Sequence, residues 1–200
     1  MKARLIDLRR RSSPFGTRTA WKESPVSPEL AAWRFHGVTL QLGKIDQTAT
    51  LLTRTMGFQL FNEQGDRVRY VIGSDSAQAA VDILVRADLP CARTSAGSVQ
   101  HIAWRAADDL SQIAWREKIA EAGLNVTEII DRQYFRSIYY REPGGILFEI
   151  ATDPPGFTVD EPIDPPATKL MLPLWLEPNR GHIEQVLPPI SLPSPMVSLT

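Results

Sequence analysis

The chain has 200 residues, 43% of them hydrophobic and 22% charged, enough for one domain or two small ones with a real core. Its net charge of -1 gives no global electrostatic case for nucleic-acid or membrane binding, and no apolar run is long enough to span a bilayer. A single cysteine, Cys91, excludes an intrachain disulfide and fits a reducing cytoplasm.

Residues 1–33 are polar and rich in Arg, Ser and Pro, and are expected to form a connector or N-terminal extension. The basic start MKARLIDLRRRSS is followed by no apolar segment of the kind a secretory signal needs. A first unit occupies 34–92: strand FHGVTLQL, helix DQTATLLTRTM, then strands FQLFNEQ, DRVRYVIG and AAVDILVRA. A second occupies 97–153: strand VQHIAWRA, helix DDLSQIAWREKIAEA, then strands LNVTEIID, RSIYYRE and ILFEIAT. Asp46 and Asp108 or Asp109 are candidate helix N-caps, and Gly57 and Gly123 candidate left-handed C-terminal residues. Residues 154–200 hold most of the 16 prolines, which exclude regular helix and central strand over most of the segment. They are expected to wrap the body, with a short helix within KLMLPLWLEPNRGHIEQVL packing Trp175 and Leu176 onto it. The predicted class is α+β: two βαβββ modules forming cupped mixed sheets with helices on the outer face.

Strand alternation then assigns faces. In the last strand Ile146, Phe148 and Ile150 point to the core, and Leu147, Glu149 and Ala151 point the other way. The Glu142-Pro143-Gly144-Gly145 turn makes the Tyr139 strand an antiparallel neighbour of the Glu149 strand. In the opening strand of the second unit, Ile102 and Trp104 form one face and His101 belongs to the opposite one. His101 and Glu149 therefore share the face away from the helix. A neutral imidazole and a carboxylate are two-thirds of the facial triad that holds Fe(II) with open positions. A solvated glutamate and a hydrogen-bonded sheet histidine are the plain alternatives. In the first unit, matching apolar faces pairs Val38 with Ile102, and hence Gly37 with His101. His36 is thereby expected to be structural. Asp82 takes the slot of Glu149 but faces Gly37, so the first unit is expected to be metal-free.

The segments VQHIAWR, AGLNVTEIIDRQYFRSIYYREPGGILFEIATDPPGFTVDEP and LPLWLEPNR resemble the vicinal-oxygen-chelate superfamily of glyoxalases, bleomycin-resistance proteins and extradiol dioxygenases. More narrowly, they are similar to bacterial ring-cleaving dioxygenases of the hydroquinone-cleaving and quinone-detoxifying type. The resemblance runs from about Pro25 to Pro188 and covers only the C-terminal half of such an enzyme. It implies a non-haem Fe(II) centre, with Mn(II) or another divalent metal as variants, held by two histidines and a glutamate. His101 and Glu149 match the second histidine and the glutamate. The first histidine lies in a module with no counterpart in this chain. Tyr139 and Arg132 match a tyrosine and an arginine near bound substrate, and Gln100 replaces a histidine that often precedes the ligand.

The resemblance further implies a small aromatic substrate and dioxygen, and a homo-oligomer or a complex with a separately encoded N-terminal half that completes the site. Two other functions stay open: a glyoxalase-like metal-dependent lyase or isomerase, and a metal-free module that binds an aromatic ligand. Nucleic-acid binding through the basic start has little behind it.

Overall fold

In a computed structural model the described residues are 2–8 (backbone only), 26–27, 35–73, 78–90, 95, 98–162 and 169–189. Cys91, most of the expected connector and the tail beyond residue 189 lie outside them. The chain divides into two compact units, 1–154 and 155–200.

The first unit holds two mixed sheets. One has strand order β1-β2-β5-β4-β3, built from Lys2–Leu8, Phe35–Leu42, Ala79–Val85, Arg67–Ile72 and Gln59–Gln64. The other has order β6-β9-β8-β7, built from His101–Ala106, Leu147–Thr152, Arg136–Arg141 and Ile130–Asp131. In each, the opening strand runs parallel to the last, β2 to β5 and β6 to β9, and the intervening pairs are antiparallel. This is the predicted α+β class, with one strand added. The connector reading of residues 1–33 assigned no strand to Lys2–Leu8, which pairs antiparallel with β2 and closes its edge.

Helices α1 (Asp46–Thr50) and α2 (Asp109–Glu121) follow β2 and β6. Asp108 caps α2, its carboxylate accepting the Ser111 backbone N–H at 2.7 Å. Asp46 is not a cap; it opens the first turn of α1 without a side-chain cap bond. The predicted helix over residues 46–56 changes at Leu51 into a π-helical turn, Leu51–Thr55, where the Met56 N–H reaches the Leu51 carbonyl at 3.0 Å. The wider turn buries Leu51, Leu52 and Met56 together. Gly57, at φ +80, ends it in the left-handed region.

The expected strand over 124–131 shrinks to Ile130–Asp131 plus a bridge from Val126 to Tyr140. Thr127 interrupts it: its hydroxyl, in place of a ladder carbonyl, accepts the Tyr139 N–H at 3.0 Å. Its own carbonyl accepts from Arg116 at 3.0 Å.

One apolar cluster draws on both sheets and both helices. Leu40, Val81 and Ile83 of the first sheet join Leu52, Ile119, Ile138, Phe148 and Ile150. Each such side chain contributes roughly 1.5–3 kcal/mol on burial. Phe58 meets Trp104 edge to face at 5.4 Å, and the Tyr140 hydroxyl donates to Met56 Sδ at 3.5 Å. The two modules are therefore joined through their apolar faces. Alternation leaves the opposite faces, which carry Asp82 and Glu149, outside this cluster.

A polar joint fixes the same junction. Glu142, in the turn between β8 and β9, is 1% exposed. Its carboxylate accepts the Thr48 hydroxyl from α1 at 2.6 Å, and the backbone N–H groups of Gly144 and Ile146 at 2.8 Å each. A Cβ at Gly144 would lie 2.6 Å from both Glu142 Oε1 and Leu42 Cδ2, so the turn needs glycine there.

The second unit contains short 3₁₀ turns at Phe157–Val159 and Glu177–Asn179 and a helix α3, Arg180–Val186. Arg180 ties it together through Glu177 at 2.7 Å and Glu184 at 3.0 Å. Trp175, expected to pack, is 68% exposed. No helix among the described residues is long and apolar enough to cross a membrane.

The joint yields a stability prediction. Glu142→Ala leaves a buried hydroxyl and two N–H groups without their acceptor, and should cost about 2–5 kcal/mol in urea unfolding with an unchanged m-value. A loss below about 0.5 kcal/mol would show that the joint contributes nothing.

Candidate metal and substrate site

The open face of the second sheet brings the predicted residues together. Glu149 pairs across β9 with Ala103 on one side and Tyr139 on the other, and His101 sits two pairs away, opposite Leu147. With a side-chain period of two, all these residues point to one face. His101 Nε2 lies 2.8 Å from Glu149 Oε2. The Tyr139 hydroxyl donates to Oε1 at 2.9 Å, and Ser137 Oγ donates to the same oxygen. Glu149 is 3% exposed, whereas the His101 side chain is about a third exposed. A buried carboxylate is costly unless its lone pairs are matched. Here three donors match them, and His101 connects the group to the open side.

Arg132 joins from the turn between β7 and β8. Gln133, at φ +69, and the bond from its N–H to Asp131 Oδ1 at 2.7 Å tighten that turn. The Arg132 guanidinium consequently lies 5.3 Å from the Tyr139 ring centre, and its Nη2 donates to the Tyr139 hydroxyl at 3.3 Å. The result is a continuous chain from Arg132 through Tyr139 and Glu149 to His101. Ser137 was missed by sequence reasoning. It lies two residues before Tyr139 on the same strand, so period-two alternation alone places it on this face.

An imidazole nitrogen and a carboxylate oxygen in contact, both reachable from one open face, fit a divalent cation that replaces the proton between them. Among the described residues no third His, Cys, Asp or Glu joins them to form a set of three.

The first sheet carries the same lattice with different chemistry. Thr39 pairs with Asp82, Asp82 with Arg69, and Arg67 with Leu84. Asp82 thus takes the place of Glu149, Arg69 that of Tyr139 and Arg67 that of Ser137. Gly37 takes the place of His101, and a Cβ there would lie 2.7 Å from the Ala80 carbonyl oxygen, so no side chain fits. Asp82 accepts from Arg69 at 2.6 and 2.8 Å and from Arg67 at 2.8 Å. Burial pushes the Asp82 carboxyl upward; the hydrogen bonds and charges of Arg69 and Arg67 outweigh it and hold it below its ordinary value. His36, next to Gly37 on β2, is 3% exposed and borders the space in front of Asp82.

Residues 34–150 match the Glyoxalase/Bleomycin resistance protein/Dioxygenase superfamily. The chain is 44% identical over 177 residues to MhqO of Bacillus subtilis, whose name assigns it to the ring-cleaving dioxygenases; the match covers 88% of this chain and 56% of that protein. It is 32% identical over 146 residues to a chlorohydroquinone/hydroquinone 1,2-dioxygenase of Sphingobium indicum, covering 70% of this chain and 44% of that one. A crystal structure of a Bacillus subtilis protein described as a dioxygenase superposes with a TM-score of 0.76 at 46% identity, covering 84% of this chain and 53% of that chain. The chain spans about half the length of the curated relatives it matches.

Asp82 gives a pH prediction. A carboxyl held lower in the folded state than in the unfolded one adds stability above its unfolded value, near 4, and loses it as pH falls through the folded value. Urea midpoints should therefore drop more between pH 6 and pH 3 for the natural chain than for Asp82→Asn. Equal drops would contradict the ion-pair account.

Proposed function

The chain belongs to the glyoxalase/bleomycin resistance protein/dioxygenase superfamily, and from that premise we propose that its second sheet is the metal-binding half of a non-haem Fe(II) ring-cleaving dioxygenase acting on hydroquinone- or catechol-type aromatics. The observation that carries this reading is the 2.8 Å contact between His101 Nε2 and Glu149 Oε2 on the face that also presents Tyr139 and Arg132. The names of the relatives support the reaction class.

His101 and Glu149 hold the metal; Mn(II) satisfies the same donors. When bound, Fe(II) supplies a Lewis acid for the phenolate substrate and a redox centre for dioxygen. Ser137 and Tyr139 fix the Glu149 carboxylate through Oε1 and leave Oε2 directed at His101. The Tyr139 hydroxyl, bonded to Glu149 and backed by Arg132, stands ready to exchange a proton with a substrate hydroxyl. Arg132 offsets negative charge developing on the ring oxygens. The first module serves as a metal-free scaffold: Gly37 offers no ligand and Asp82 is neutralised by two arginines.

Two protein ligands bind a metal weakly, so the third comes from outside the described residues, from a second copy or from a separately encoded half. A glyoxalase-like enzyme with two equivalent metal sites is disfavoured by the closed Gly37 slot.

Anaerobic Fe(II) titration of the chain should give weak binding that His101→Ala abolishes and Ser137→Ala weakens by about 10- to 100-fold. Oxygen uptake with hydroquinone should appear only when modules carrying the missing histidine are added. Tight stoichiometric iron and turnover in the chain alone would overturn the half-site. Unchanged binding in His101→Ala would overturn the site itself.

A further inference from the structure

The first sheet's open face lines a cavity of about 390 Å³, within the size range of small-ligand sites. The charged side chains lining it are Arg67, Arg69 and Asp82. Asp82 is ionised and nearly buried, and acts as a brace: it takes the Nε–Nη2 edge of Arg69 and Nη1 of Arg67. Arg67 spends that Nη1 on Asp82 and, at 3.2 Å, on Thr39 Oγ1. Its Nε–Nη2 edge has no partner among the described residues, and its side chain is 43% exposed. That edge offers two parallel N–H donors, the geometry that matches a carboxylate's two oxygens.

Gln41 adds a second polar group to the cavity. It is 8% exposed, it lines the same cavity, and it lies on the Thr39 side of β2. Among the described residues its amide has no hydrogen-bond partner. Its amide is open to the cavity and free to bond a ligand or ordered water there. The Thr39 hydroxyl, which accepts from Arg67, keeps its own proton to donate into the same space.

We propose that the first module is a second ligand site, in which the free edge of Arg67, the Gln41 amide and the Thr39 hydroxyl bind a small organic carboxylate. The donors named around it are neutral or cationic, and the lining carboxylate, Asp82, is already paired. The lattice that presents an imidazole and a carboxylate to a cation in the second sheet presents guanidiniums to an anion in the first. The site is separate from the His101–Glu149 pair and does not rest on the proposed dioxygenase reaction.

Benzoate, with benzamide as its uncharged counterpart, tests this on the full chain by amide chemical shifts. Benzoate should move the amides of Gly37, Thr39 and Ala80 in a saturable manner, and benzamide should not. Arg67→Gln and Gln41→Leu should each weaken benzoate binding by at least about tenfold, while Glu149→Gln should leave it unchanged. Gln41→Leu keeps the test valid if Arg67→Gln fails to fold. Absence of saturable shifts, shifts centred on His101 to Ala103, equal response to benzamide, or unaltered affinity in Gln41→Leu would each overturn the proposal.

Discussion

A nearly buried carboxylate with three donors organises the second module. Glu149 reaches Ser137, Tyr139 and His101 because β9 lies between β8 and β6, so its side chain has a neighbour from each flanking strand. A one-residue slip in either pairing would turn a donor to the apolar face and leave the carboxylate unmatched. Register and polar satisfaction therefore enforce one another. The cost of burying the charge is offset only in the alignment that also gathers the site.

The same constraint explains how two similar modules diverge. Both sheets place a carboxylate on the last strand, flanked by the first strand and by the strand of the hairpin. In the second module the flanking groups are an imidazole, a phenol and a hydroxyl. In the first they are a glycine held against the Ala80 carbonyl and two arginines. Replacing neutral donors by guanidiniums pairs the carboxylate with opposite charge without altering the backbone pattern. The modules stay joined because their apolar faces and the Thr48–Glu142 bond lie on the opposite side from this chemistry.

Strand periodicity made most of this legible in the sequence. The opposition of His101 to the Ile102 and Trp104 face, and of Glu149 to Phe148 and Ile150, follows from alternation once the hairpin turn is recognised. The pairing of Gly37 with the His101 slot follows from it too. What escaped depended on partners distant in sequence or on bonds that bypass the ladder. Glu142 reads as an ordinary turn residue, and only Thr48, 94 positions away, reveals it as a buried joint. Arg67 and Arg69 read as surface charges until the β4–β5 register sets them around Asp82. The Thr127 hydroxyl breaks a segment whose composition is that of a strand, and the π-helical turn after Thr50 carries no periodic signal strong enough to separate it from a plain helix. Lys2–Leu8 looks like a basic tail because its charges hide its pairing with β2.

The central claim is that one ion can be shared by His101 and Glu149 on the open face of the second sheet. Titrating Mn(II) into the isotopically labelled chain and following paramagnetic broadening tests it without requiring turnover or a complementing half. The account predicts that signals of His101, Ala103 and Tyr139 broaden first, and that His101→Ala abolishes this. Broadening centred elsewhere, or persisting unchanged in His101→Ala, would contradict it.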